Sequence, residues 1–110
     1  MNTTSRLEKI EAMLTSDPKD SMLRYMLAME LDKSDEHDRS LELFAGLMAD
    51  SPPHVPAFLM AGQQLVKLNR IDEARTTMRE GIEAARTQGN SHAAGEMAEF
   101  LAELGSAGEA

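Results

Sequence analysis

Apolar residues recur at spacings of three and four along nearly the whole chain, as in Leu7, Ile10, Met13 and Leu14 and again in Leu23, Leu27 and Leu31. That is the period of a helix with one buried face, and no stretch sustains the two-residue alternation of a half-buried strand. The pattern predicts an all-α chain. Turn-forming or helix-ending clusters interrupt it at Asp17-Pro18, Ser34-Asp35, Ser51-Pro52-Pro53, Asn69-Arg70, Gln88-Gly89-Asn90 and Gly105-Ser106. Proline has no amide hydrogen to donate within a helix, and glycine or asparagine tolerates the left-handed cap that ends one. The helices so delimited run over about 4–16, 20–33, 37–50, 55–68, 71–88 and 91–104. Ser5 with Glu8 has the form of a capping box, and Asp72-Glu73 puts negative charge at the positive end of the fifth helix. The small, polar tail over 105–110 is expected to fray.

Sliding the sequence against itself reveals a period of 34 residues. Pro18 matches Pro52, Tyr25 matches Leu59, Ala28 matches Gly62, Leu31 matches Leu65, and Ser40 matches Ala74. Two series extend over three copies: Ile10, Phe44 and Met78, then Leu14, Met48 and Ile82. Apolar residues match by chance in any helical protein, but prolines, small residues and a helix start matching in one register do not. The unit is a helical hairpin. Ala28, Gly62, Ser40 and Ala74 are small because paired helices must approach to about 8–10 Å, while Leu27, Leu31, Phe44, Leu65 and Met78 fill the space around them.

A helix pair repeating at this period resembles the tetratricopeptide repeat (TPR) family, in a degraded form of its signature. About residues 21–54 carry Leu27-Ala28, Leu31, Ser40, Phe44 and Pro52, with Arg24 where the family has a large aromatic. About residues 55–88 carry Phe58, Ala61-Gly62, Leu65, Ala74, Met78 and Gly81, with Asn69-Arg70-Ile71-Asp72-Glu73-Ala74 like the family's inter-helix turn and Arg86 in place of the closing proline. Residues 4–18 match a second helix plus its proline, so the resemblance covers about 4–88 and leaves the helix at 91–104 outside it. The expected architecture is a TPR-like α-solenoid of antiparallel helix-turn-helix repeats: half-repeat, two repeats and a capping helix.

Two full repeats are fewer than such stacks usually require, so both ends need covers. The first helix can supply one, with Leu7, Ile10 and Leu14 inward and Arg6, Glu8, Lys9 and Glu11 outward. The last can supply the other, with Met97, Phe100, Leu101 and Leu104 in one stripe and Glu96, Glu99 and Glu103 apart from it. The alternative use of that stripe is self-association.

The resemblance implies that the first helices of successive repeats line a concave face that holds a partner peptide. By register the lining would be Met22, Tyr25, Met26, Met29 and Lys33 from the second helix and Leu59, Met60, Gln63, Val66 and Lys67 from the fourth. The second helix is apolar almost all round, which fits either burial on both sides or a sticky surface. Methionine-rich surfaces suit partners of varied sequence. Some family members grip a chaperone's C-terminal carboxylate with lysine, asparagine and arginine; here Tyr25, Met29, Met60 and Pro56 stand at those places, so such a tail is not expected. An amphipathic helix or an extended apolar segment fits better, and Lys33 and Lys67 could meet an acidic end.

Composition narrows the function further. At 110 residues and 42% hydrophobic the chain can bury one core, so a single domain over 1–110 is expected. The net charge of -8 repels phosphates and anionic membranes, which sets aside nucleic-acid and membrane partners. No run of about 18 apolar residues and no secretory start is evident, so the cytoplasm is the expected location. Without cysteine there is no thiolate or cysteine-built zinc site, and the nine methionines make the core adaptable. His37, His54 and His92 have no helical metal-ligand spacing, and the Asp32, Asp35, Glu36 and Asp38 cluster lacks the glycine and terminal glutamate of a calcium loop. Neither a phosphate-cradling loop nor a nucleophile elbow is present, so neither cofactor nor catalysis is expected. The resulting expectation is a non-catalytic protein- or peptide-binding adaptor; the alternative is a structural homodimer that uses the groove or the C-terminal helix for self-association. Replacing Gly62 by leucine should overpack a helix crossing and lower stability by about 1–3 kcal/mol, and a melting curve matching the parent's would refute this register.

Overall fold

The computed structural model describes residues 5–105, over which the chain forms α1 (Arg6–Ser16), α2 (Ser21–Lys33), α3 (His37–Met48), α4 (Val55–Lys67), α5 (Ile71–Thr87) and α6 (Ser91–Leu104). The helix ends fall within two residues of those read from the sequence; the expected start at residue 4 and the tail over 106–110 lie outside the described residues. Capping explains several starts. Ser5 Oγ accepts the Glu8 amide while Glu8 Oε1 accepts the Ser5 amide, each at 3.1 Å, and these bonds hold the Glu8 carboxyl below its usual range. Asp20 caps α2 through the Leu23 amide at 2.8 Å, and Asn90 caps α6 through the Ala93 amide at 3.0 Å.

Three helices end with the same device. Asp35, Asn69 and Gly89 take positive φ angles of 61°, 61° and 73°. The residue after each donates five positions back: Glu36 to the Leu31 carbonyl at 2.9 Å, Arg70 to Leu65 at 2.8 Å and Asn90 to Ala85 at 2.8 Å. The left-handed residues themselves donate three positions back, to Asp32, Val66 and Arg86. This is the Schellman arrangement, and Asp, Asn and Gly are the residues that enter the left-handed region at least cost. Asp35 and Asn69 stand one period apart, so the repeat lies in the turn as much as in the helices.

The helices group into two compact units, one up to Pro52 and one from Pro53. In the first, α2 packs against both α1 and α3. Ile10, Leu27 and Leu31 are buried together, flanked by Leu7, Leu14, Met26 and Leu43. Arg6, Glu8 and Lys9 stay exposed, and α1 covers α2 with the face read from the sequence. Across the α2–α3 contact Ala28 and Ser40 are wholly buried, and Ser40 Oγ donates to the Ala28 carbonyl at 2.6 Å. Arg24, at the aromatic position of the family pattern, forms an ion pair with Asp50 just beyond α3. Charge pairing thus joins the two helices where a ring would otherwise pack.

In the second unit α5 lies between α4 and α6, and α4 also touches α6. At two glycines neighbouring side chains press against the bare backbone. A Cβ on Gly62 would fall 2.1 Å from the Met78 methyl, and one on Gly81 would fall 2.5 Å from both Phe58 Cβ and Met97 Sδ. Met97 is buried in that space, while Leu101 and Leu104 are half-buried. Arg75, also buried, donates to Asp72 at 2.9 Å and to the Gly105 carbonyl at 3.1 Å, tying the end of α6 to α5.

The glycines should respond differently to alanine. Phe58 Cβ cannot move without its backbone, so Gly81→Ala is expected to cost about 1–3 kcal/mol despite alanine's better helix propensity. Gly95 faces open space, so Gly95→Ala should gain about 1 kcal/mol. Thermal melts of both variants check this, and a Gly81→Ala protein as stable as the parent would show that the α4–α5–α6 junction is looser than described.

Candidate functional site

On the first unit the exposed apolar surface of α2 begins at Met22, which is 58% exposed. Tyr25, Met26 and Met29 are half-buried. The Tyr25 ring meets Phe44 edge-on with centroids 6.0 Å apart, and burial pushes its phenol above the usual pKa. Met26 leans on the Ile10, Leu27 and Leu31 cluster. Lys33 is exposed with its Nζ 3.6 Å from Glu30 Oε1, an oxygen that also accepts Arg6 Nε at 2.6 Å. The surface of α2 is therefore one accessible methionine beside a strip of partly covered side chains.

On the second unit a cleft of about 460 Å³ opens between α4 and α6, lined by Leu59, Gln63, Glu96, Glu99, Phe100, Ala102 and Glu103. Leu59, Gln63 and Phe100 are half-buried, and the three glutamates and Ala102 are exposed. An apolar floor with acid along one rim can hold an apolar side chain and pair with cations beside it. Met60 and Val66 are half-buried and Lys67 is exposed. Among the described residues no group of three or more potential ligands is placed to hold a metal ion, and no helix is long and apolar enough to cross a membrane.

No family profile and no curated protein matches the sequence. A solved structure does: the chain is 31% identical to a tetratricopeptide repeat domain protein from Salinibacter ruber, with a TM-score of 0.77 over 84% of this chain and 94% of that one. The chain belongs to the tetratricopeptide repeat family. Its all-α fold of antiparallel helical hairpins is a TPR fold, and it is thereby a repeat domain of the protein-interaction type.

In TPR terms, α4 and α6 occupy equivalent places on either side of α5, which is why their faces meet in a cleft. Leu59 and Gln63, expected as lining from the sequence, stand in it; Glu96, Glu99, Phe100, Ala102 and Glu103 join them from α6, expected as a cap or a self-association stripe. The missed signal lies in helix order. α6 follows a completed hairpin, so it enters as the first helix of a further pair, although it begins 36 residues after α4 (Ser91 against Val55) where α4 begins 34 after α2 (Val55 against Ser21).

Accessibility along the α2 face can be read chemically. Under dilute hydrogen peroxide Met22 should oxidise well ahead of Met26 and Met29, with the buried Met78 and Met97 last. Peptide mass spectrometry measures the order, and oxidation of Met26 as fast as Met22 would mean that the α1–α2 contact opens.

Proposed function

We propose that this TPR chain is a non-catalytic adaptor that holds another protein or peptide, with the α2 face around Met22 and the α4 face around Leu59 and Gln63 as contact surfaces. The observation that carries this reading is the α4–α6 cleft, a concavity with a half-buried apolar floor at Leu59 and Phe100 in a domain of the protein-interaction type. Met22, Tyr25, Met26, Met29 and Lys33 on one unit and Leu59, Met60, Gln63, Val66 and Lys67 on the other remain the proposed contact residues. Flexible thioethers and half-buried rings present apolar area without demanding one partner shape. The proposed setting is the cytoplasm, with neither nucleic acid nor membrane as ligand, in keeping with the net charge of -8.

The test pairs solution mass with binding. Met22→Glu and Leu59→Glu place charge on the two surfaces, and Met22 is a cleaner probe than Met26, which supports the α1–α2 core. The expected result is a parent monomer by light scattering over a range of concentrations, together with a bound protein, recovered by affinity capture and re-measured in purified form, that either folded variant binds less tightly. A parent dimer dissociated by either variant would instead identify self-association as the use of these surfaces.

A further inference from the structure

We infer that the occupant of the α4–α6 cleft is a cationic amphipathic segment of another protein, a short helix carrying lysine or arginine beside apolar residues. This rests on the adaptor reading and specifies its partner. Glu96, Glu99 and Glu103 follow one another at intervals of three and four on α6, so their carboxylates run along one side of the helix beside the Phe100 ring. The chain has no lysine or arginine after Arg86, so no permanent cation on α6 offsets them. Among the described residues His92 Nε2 lies 3.8 Å from Glu96 Oε1, and no ion pair engages Glu99 or Glu103.

Three carboxylates at helical spacing beside Leu59 and Phe100 match a helix with cations three and four residues apart and an apolar side chain between them. The apolar residue would cover the half-buried floor while the cations meet the rim. An acidic segment would leave these carboxylates facing like charge. A second copy of this chain is disfavoured for the same reason, since each copy carries a net charge of -8. The same charge would draw a cationic segment in and make its binding weaken with salt.

The test titrates the full chain, by fluorescence anisotropy at low and physiological salt, against three labelled peptides of about 14 residues, or four helical turns. One carries leucine and lysine at helical spacing, the second glutamate for lysine, and the third serine for leucine. The leucine–lysine peptide is expected to bind best. The protein variant Glu96→Gln/Glu99→Gln/Glu103→Gln should weaken it by about tenfold. A control of equal net charge, Glu36→Gln/Asp38→Asn/Glu42→Gln on the first unit, should change it less than about twofold. Circular dichroism confirms that both variants fold.

Equal weakening by the control would overturn the inference by showing that overall charge, rather than the cleft, attracts the peptide. Tight binding of the leucine–glutamate peptide, lost in Phe100→Ala, would overturn the charge class and leave the adaptor reading standing. Absence of binding by any of the three peptides would also overturn the inference, whereas the adaptor reading is judged separately by capture with Met22→Glu and Leu59→Glu. Dimerisation of the parent that the glutamine variant abolishes would make the occupant a second copy and overturn both.

Discussion

Close approach of helix backbones, at Ala28 and Ser40 in the first unit and at Gly62 and Gly81 in the second, is the constraint on which the rest of the packing depends. Where a side chain is missing or minimal, the partner helix comes near enough for a neighbour to cross the gap: Met78 over Gly62, Phe58 and Met97 over Gly81. The two units meet this constraint with different chemistry. At Ser40 the space left by Ala28 is used for a hydroxyl that donates to the Ala28 carbonyl; one period later Ala74 has no hydroxyl, and the space at Gly62 is filled by the Met78 methyl. Dispersion contacts among close-packed atoms stand where the first unit has a hydrogen bond.

The same constraint positions the candidate site. Gly81 admits Met97 into the junction with α5, and with Met97 fixed, helical geometry places Phe100 about one turn further on. Phe100 then stands across from Leu59 and Gln63, with the glutamates on the solvent side of the ring. Arg75 reinforces the arrangement from the far end of α6, because a buried guanidinium needs acceptors and finds one in the Gly105 carbonyl. The α4–α6 cleft is thus built from helices that internal packing already fixes.

Charge is distributed unevenly between the first unit and α6. The first unit spends many of its acids on internal partners, as in Asp50 with Arg24, Glu30 with Arg6, Glu11 with Arg39 and Asp32 with His37. Among the described residues the α6 acids have one ion pair, Glu96 with His92, and they remain at the surface. Exposed pairs contribute little to stability, so the contrast bears little on folding.

The helices, their order and the repeat were legible in the sequence because each rests on local information. Spacings of three and four set the buried faces, the Ser5–Glu8 capping box marks the first start, and Asp35, Asn69 and Gly89 lie in the turn clusters that end helices. The period of 34 was legible because small residues at close contacts must recur in register. The inward face of α1 was legible for the same reason. What required tertiary structure was the use of each half-apolar face. Met22 and Met26 are chemically identical and lie four residues apart on one helix, yet only Met26 lies against the α1–α2 cluster. The α6 glutamates looked like the outer face of a cap, and it was the docking of α6 beside α4 that made them the rim of a cleft. Local spacing fixes which residues share a face of a helix; only contacts between residues far apart in the chain decide what that face meets.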